Sequence, residues 1–127
     1  MRVENLPTFH TTVTVYRKTE TADSDGRKHV SYMRAVHKNC FWNVRRAESL
    51  DGNAVKSASV YLCRLPIADI RPGDVIFKGV VSETVSDEAG KRINDLIQKK
   101  KPDCFTVQTV SKNDAISVLA HTKAEGV

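Results

Sequence analysis

Residues 12–16 read Thr-Val-Thr-Val-Tyr, and the same two-residue alternation returns in segment after segment of the chain. Successive side chains of a strand point to opposite faces, so an alternating apolar pattern predicts a half-buried strand. The first strand is expected over about residues 9–18. It is followed by a polar stretch, about 19–27, whose Asp25-Gly26 pair tolerates positive φ and suits a reversal.

From Lys28 to Val44 the alternation outlasts an average strand. It is interrupted at His37-Lys38-Asn39, which predicts either two strands or one strand bent by a bulge. A second polar loop is expected over about 47–57, with a turn signal at Asp51-Gly52. The next run, Ala58 to Ile67, is apolar on both faces. Val60 and Leu62 point one way, Tyr61, Cys63 and Leu65 the other, as in the wall of a barrel or sandwich. Pro66 lacks a backbone donor and ends it.

The stretch Pro72 to Gly79, "PGDVIFKG", poses the first functional question. Glycine-rich loops hold phosphate, but they need GxxxxGK[ST], or GxGxxG opening a helix. Here Gly73 and Gly79 bracket a short strand instead. Pro72-Gly73-Asp74 fits a type II turn, which needs positive φ at its third residue. It is therefore read as a structural corner.

The period then changes. Val85, Ala89, Ile93, Leu96 and Ile97 share one face of a helix expected over about 86–101. Ser86 is its expected N-cap, with Asp87 and Glu88 in the first turn; Lys99, Lys100 and Lys101 suit its C-terminal end, and Pro102 stops it. A closing hairpin follows: Phe105 and Val107 alternate on one arm, Ile116, Val118 and Ala120 on the other, with Asn113-Asp114 at the turn. Residues 123–127 are read as a loose tail. The fold class is mainly β: a small barrel or sandwich of about six to seven strands, with long loops and one inserted helix, in a single domain over 1–127.

Aromatic residues make up only 6% of the chain, so the core must be mainly aliphatic. The three cysteines, Cys40, Cys63 and Cys104, are far apart and fall in apolar runs. They are expected to be buried free thiols, which suits a reducing compartment. The start, "MRVENLPTFH", has no apolar h-region, so no secretory signal is expected, and no run approaches the ~20 apolar residues of a membrane span. His10, His29, His37 and His121 have no ligand spacing, and no carboxylate pair stands out. Catalytic residues, cofactor and metal are accordingly all expected to be none.

The net charge of +5 favours an acidic partner. Two basic clusters, Arg45-Arg46 and Lys99-Lys100-Lys101, are the candidate DNA- or partner-facing residues. As solvated strand and helix ends, they would need no partner at all.

"TVTVYRK", "VYLCRLP", "IRPGDVIFKG", a helix ending in lysines, and "FTVQTVSKND" before a closing strand with His121 occur here in that order. In this the chain resembles small head–tail joining proteins of tailed bacteriophages and prophages, mostly of Gram-positive hosts. The resemblance implies a structural virion protein of the neck, not an enzyme: a stopper-like ring that joins the portal and adaptor to the tail and helps close the DNA channel. It implies a small β-barrel with long loops. The implied partners are copies of itself, portal and adaptor proteins, tail-completion or tail-tube proteins, and packaged double-stranded DNA held without sequence preference. No membrane is implied; the location is the virion neck, and the host cytoplasm during assembly. The alternative from composition is a monomeric barrel that binds single-stranded nucleic acid through basic residues and stacked aromatics.

Overall fold

The computed structural model describes residues 10–22, 24–51, 54–66, 68–86, 89–113 and 121–127. Six strands and one helix occur in the order β1 (Thr11–Ala22), β2 (Lys28–Asp51), β3 (Ala54–Pro66), β4 (Val75–Lys78), α1 (Ile93–Lys100), β5 (Cys104–Asn113) and β6 (His121–Gly126). All pairings are antiparallel, and the strands close into a barrel in the order β1-β2-β3-β6-β5-β4.

The interior is what the alternation requires. Val13 and Val15 of β1, Cys40 of β2, Cys63 and Leu65 of β3, Ile76 of β4, Phe105 and Val107 of β5 and Ala124 of β6 fill it. Tyr61 stacks on Phe105, with ring centroids 5.5 Å apart, and Trp42 closes the cluster against both rings. A second core lies outside the wall. Tyr16, Val75 and Phe77 face outward and are covered by Val81, Val85 and Leu96 of the segment that includes α1. β4 is thus buried on both faces, which is why its run Val-Ile-Phe carries no polar residue.

β2 is one strand of 24 residues. Its register to β1 shifts between Thr11↔Cys40 and Val13↔His37, and Asn39 takes φ +60° there. The interruption at 37–39 is therefore a bulge. Asparagine tolerates the left-handed region better than most residues. Up to Cys40 β2 pairs with β1; from Phe41 on it pairs with β3.

Both hairpins outrun the barrel. β4 pairs with β1 only as far as Tyr16, yet the β1–β2 ladder continues to Ala22↔Lys28. β6 pairs with β3 only as far as Tyr61, yet the β2–β3 ladder continues to Asp51↔Ala54. The loops expected over 19–27 and 47–57 are thus largely two-stranded arms, one at each end of β2. Polar composition concealed them: Arg17-Lys18-Thr19-Glu20 and Arg46-Ala47-Glu48-Ser49 carry few apolar residues. The turn residue Gly26 does take positive φ (+79°), while Gly52 lies outside the described residues.

Two further expectations are corrected. The helix does not begin at Ser86 but at Ile93. Gly90 takes φ +84°, which no α-helix accommodates, and Ser86 N donates to Lys91 O across the resulting turn. Asp87 and Glu88 lie outside the described residues. Residues 123–126 are not a loose tail: they belong to β6, which is held between β3 and β5. Its buried positions are Thr122, Ala124 and Gly126, alternating with half-buried His121, Lys123 and Glu125. Asp114, Ile116, Val118 and Ala120 lie outside the described residues.

Candidate functional site

The corner at Pro72-Gly73-Asp74 has the expected geometry. Gly73 takes φ +95°, and Asp74 N donates to Arg71 O at 3.1 Å. Gly73 N donates to Val107 O, and Val107 N to Asp74 O, both at 2.8 Å, so the turn also extends the β4–β5 pairing. Asp74 is almost fully buried. Its carboxylate accepts Arg17 Nε at 3.1 Å, Arg17 Nη2 at 3.0 Å and Arg71 N at 2.9 Å. Arg17 also donates to the carboxylate and carbonyl of Asp69. The Asp74 hydrogen bonds raise the Arg17 pKa above its ordinary value, against the effect of burial. Arg17 and then Arg71 hold the exposed Asp69 carboxyl below its usual range. Arg17 joins the buried Asp74 to Asp69, and Arg71 also pairs with Asp69, so this is a clamp on a barrel corner.

At the other end of β4, Gly79 takes φ +86° and its N–H donates to Thr12 O at 2.7 Å. The chain then crosses the outer face of β1. Thr14 Oγ1 donates to Gly79 O and accepts from Val81 N, and the Tyr16 hydroxyl donates to Glu83 O at 2.7 Å. The short strand ends because its continuation is needed as the cover of the second core.

The predicted lysine cluster is divided. Lys99 and Lys100 both reach Glu83, at 3.6 and 3.2 Å, and so tie α1 to the crossing segment. The Glu83 carboxyl lies below its usual range, chiefly through a backbone hydrogen bond and then through Lys100. Lys101 is the exposed C-cap of the helix.

The predicted arginine pair is divided as well. Arg45 and Arg46 are consecutive in β2, opposite Val60 and Ser59, so they point to opposite faces. Arg45 shares the outer face of β2–β3–β6 with Asn43, Leu62, Arg64, Lys123 and Glu125, around a cleft of about 250 Å³. Arg64 and Lys123 were not singled out from the sequence. The available signal was parity: both occupy the outward position of an alternating strand, but 123–127 was read as tail.

The thiols are buried. Cys40 and Cys63 are fully inaccessible neighbours; hydrogen bonding to Cys40, then burial, pushes the Cys63 thiol well up. Burial raises Cys104 too. Thiols held protonated are poor nucleophiles. His37 is desolvated, which lowers its pKa. Among the described residues, no three His, Cys, Asp or Glu side chains converge as a metal site, and no helix is long and apolar enough to cross a membrane.

A family model matches residues 8–127. The chain belongs to DUF6751, a family of unknown function. No curated protein and no solved structure matches it. The DUF6751 chain is a closed barrel with two arms, a buried corner clamp and a basic outer cleft.

Proposed function

We propose that this protein is a ring subunit of a tailed-phage head–tail connector. In this reading it sits in the virion neck between portal and adaptor on one side and tail-completion or tail-tube proteins on the other. It assembles there from the host cytoplasm, helps close the DNA channel, and catalyses no reaction. The observation that carries the reading is the single 24-residue strand β2, which bears an arm at each end of a closed barrel. A two-stranded ribbon that runs beyond the closed wall is marginal in water. Two such ribbons on one subunit are economical only if neighbours cover them. Placed at opposite ends of a strand, they suit heterologous contacts, which form rings when the rotation closes. The exposed Arg45, Arg46 and Lys101 supply sequence-independent contacts to duplex DNA.

The alternative, a monomeric binder of single strands, needs exposed aromatic platforms. Among the described residues no Phe, Tyr or Trp is exposed, and Trp42 packs on Tyr61 and Phe105. Native mass spectrometry and electron microscopy decide between them, on the protein alone and mixed with a tailed-phage portal protein. Closed rings, free or on the portal, are expected. A chain that stays monomeric under both conditions and binds an oligonucleotide with quenching of Trp42 overturns the reading.

A further inference from the structure

We propose that the outer face of β2–β3–β6 is a phosphate-binding site, formed by Arg45, Arg64 and Lys123 with the amide of Asn43. The site does not depend on whether subunits form a ring.

Register supplies the first reason. Arg64 lies directly opposite Lys123, and cross-strand partners share a face. Like charges so placed repel, and sheets ordinarily avoid the arrangement. Lys123 turns to Glu125, its Nζ 2.9 Å from the carboxylate. That is the one carboxylate in a cleft lined by three cations. Among the described residues Arg64 has none. Its Nε is occluded and has no hydrogen-bond partner among the described residues. A buried N–H without an acceptor is costly, more so on a charged group. The wall therefore holds a repulsive pair and an unsatisfied guanidinium on the same face, and a single bound oxyanion would relieve both.

The chemistry of the lining selects the anion. Two guanidinium forks, one ammonium and one amide offer more donors than the two oxygens of a carboxylate can accept. A tetrahedral phosphate has oxygens for both forks, and guanidinium binds it bidentately. Three cations and one carboxylate leave the lining at a net +2, the complement of a phosphate dianion. The volume, about 250 Å³, leaves room for a substituent on the phosphorus. The same chemistry serves inorganic phosphate and the phosphodiester backbone of a nucleic acid.

The test uses the full chain. Thermal unfolding and calorimetric titration compare sodium phosphate with sodium chloride at equal ionic strength, and a labelled short DNA duplex is titrated by anisotropy. Phosphate should raise the melting temperature over chloride, or the duplex should bind; Arg64→Gln should weaken whichever binds by about tenfold or more. Lys78→Gln, an equal charge change on the other half of the barrel, should leave it within about twofold. Lys123→Thr should keep or raise the melting temperature in chloride while losing the phosphate response, which a purely structural lysine would not do. If Arg64→Gln does not fold, Arg45→Gln and Lys123→Thr carry the same comparison. Competition by free phosphate against the duplex identifies a site open to either source; duplex binding without competition identifies the backbone as the ligand. The proposal is overturned if phosphate matches chloride and duplex binding ignores Arg64, or if Arg64→Gln and Lys78→Gln lose affinity equally.

Discussion

Gly126 gives the most direct test of how β6 is seated. It pairs with Tyr61 on one side and Val107 on the other, in the buried row of the strand. A Cβ at this position would run into the carbonyl oxygen of Thr106, with Thr106 C at 2.8 Å and Phe105 Cδ2 at 2.9 Å. Contacts under 3 Å to backbone do not relax by rotamer change. Gly126→Ala therefore leaves two outcomes. Either β5 shifts, an overpacking cost of about 1–3 kcal/mol; or β6 peels from its neighbours at this end, surrendering the Thr106 N to Val127 O bond and adjacent ladder bonds at ~1 kcal/mol each. The two costs are similar, so a loss of about 2–3 kcal/mol is expected. At about 4 °C per kcal/mol for a domain of this size, the melting temperature falls by roughly 10 °C. Circular dichroism melts of both proteins measure it. A change under ~0.5 kcal/mol would show that this segment is not packed in the wall and that its reading as a loose end was correct.

At the corner, Asp74→Asn removes the buried carboxylate from Arg17 and should cost about 2–4 kcal/mol by chemical denaturation, whereas Asp69→Asn, at a 62% exposed side chain, should cost far less; equal losses would show that the two carboxylates are equivalent. Leu96→Ala should cost about 2–4 kcal/mol and the half-buried Ile93→Ala less, which ranks the contacts of α1 with the second core; the reverse order would misplace the helix face. Burial lowers the folded-state pKa of His37 below its ordinary 6.5, so the unfolded chain takes up the proton first. Stability should therefore be full above pH 6.5 and fall as pH drops towards the folded value, and His37→Gln should remove that slope in denaturant titrations.

The parts of the fold that bury apolar side chains were legible in the sequence. Val13 and Val15, the two-faced run around Cys63, and the Pro72-Gly73 turn all carry local signals that their final contacts reinforce. The parts that project were not. The arms have strand geometry with a polar sequence, so their residues look like loop, and only the ladder across β2 identifies them. The helix start failed at Gly90, where backbone conformation overrode a favourable apolar spacing. The cleft was half legible. Arg45 was evident as a charge, but its partners Arg64 and Lys123 come from two other strands, one of them read as tail. A pairing between strands β3 and β6 is a fact about topology, and no spacing within either strand announces it.

The closed order β1-β2-β3-β6-β5-β4 has a kinetic consequence. The β1–β2 and β2–β3 hairpins join neighbouring residues and can form on the microsecond scale. The seams that close the barrel are remote: Thr14 meets Gly79 across 65 residues, and Thr122 meets Ala68 across 54. Each seam demands its loop-closure entropy before the interior rewards it. Until both have formed, Cys63 and Leu65 have only part of their surroundings and β3 has an open edge. Folding should therefore be all-or-none and slow, in milliseconds to seconds, as for other chains dominated by distant strand pairs. A chain caught between hairpin formation and seam closure would present that edge to any neighbour, so refolding yield should fall as protein concentration rises.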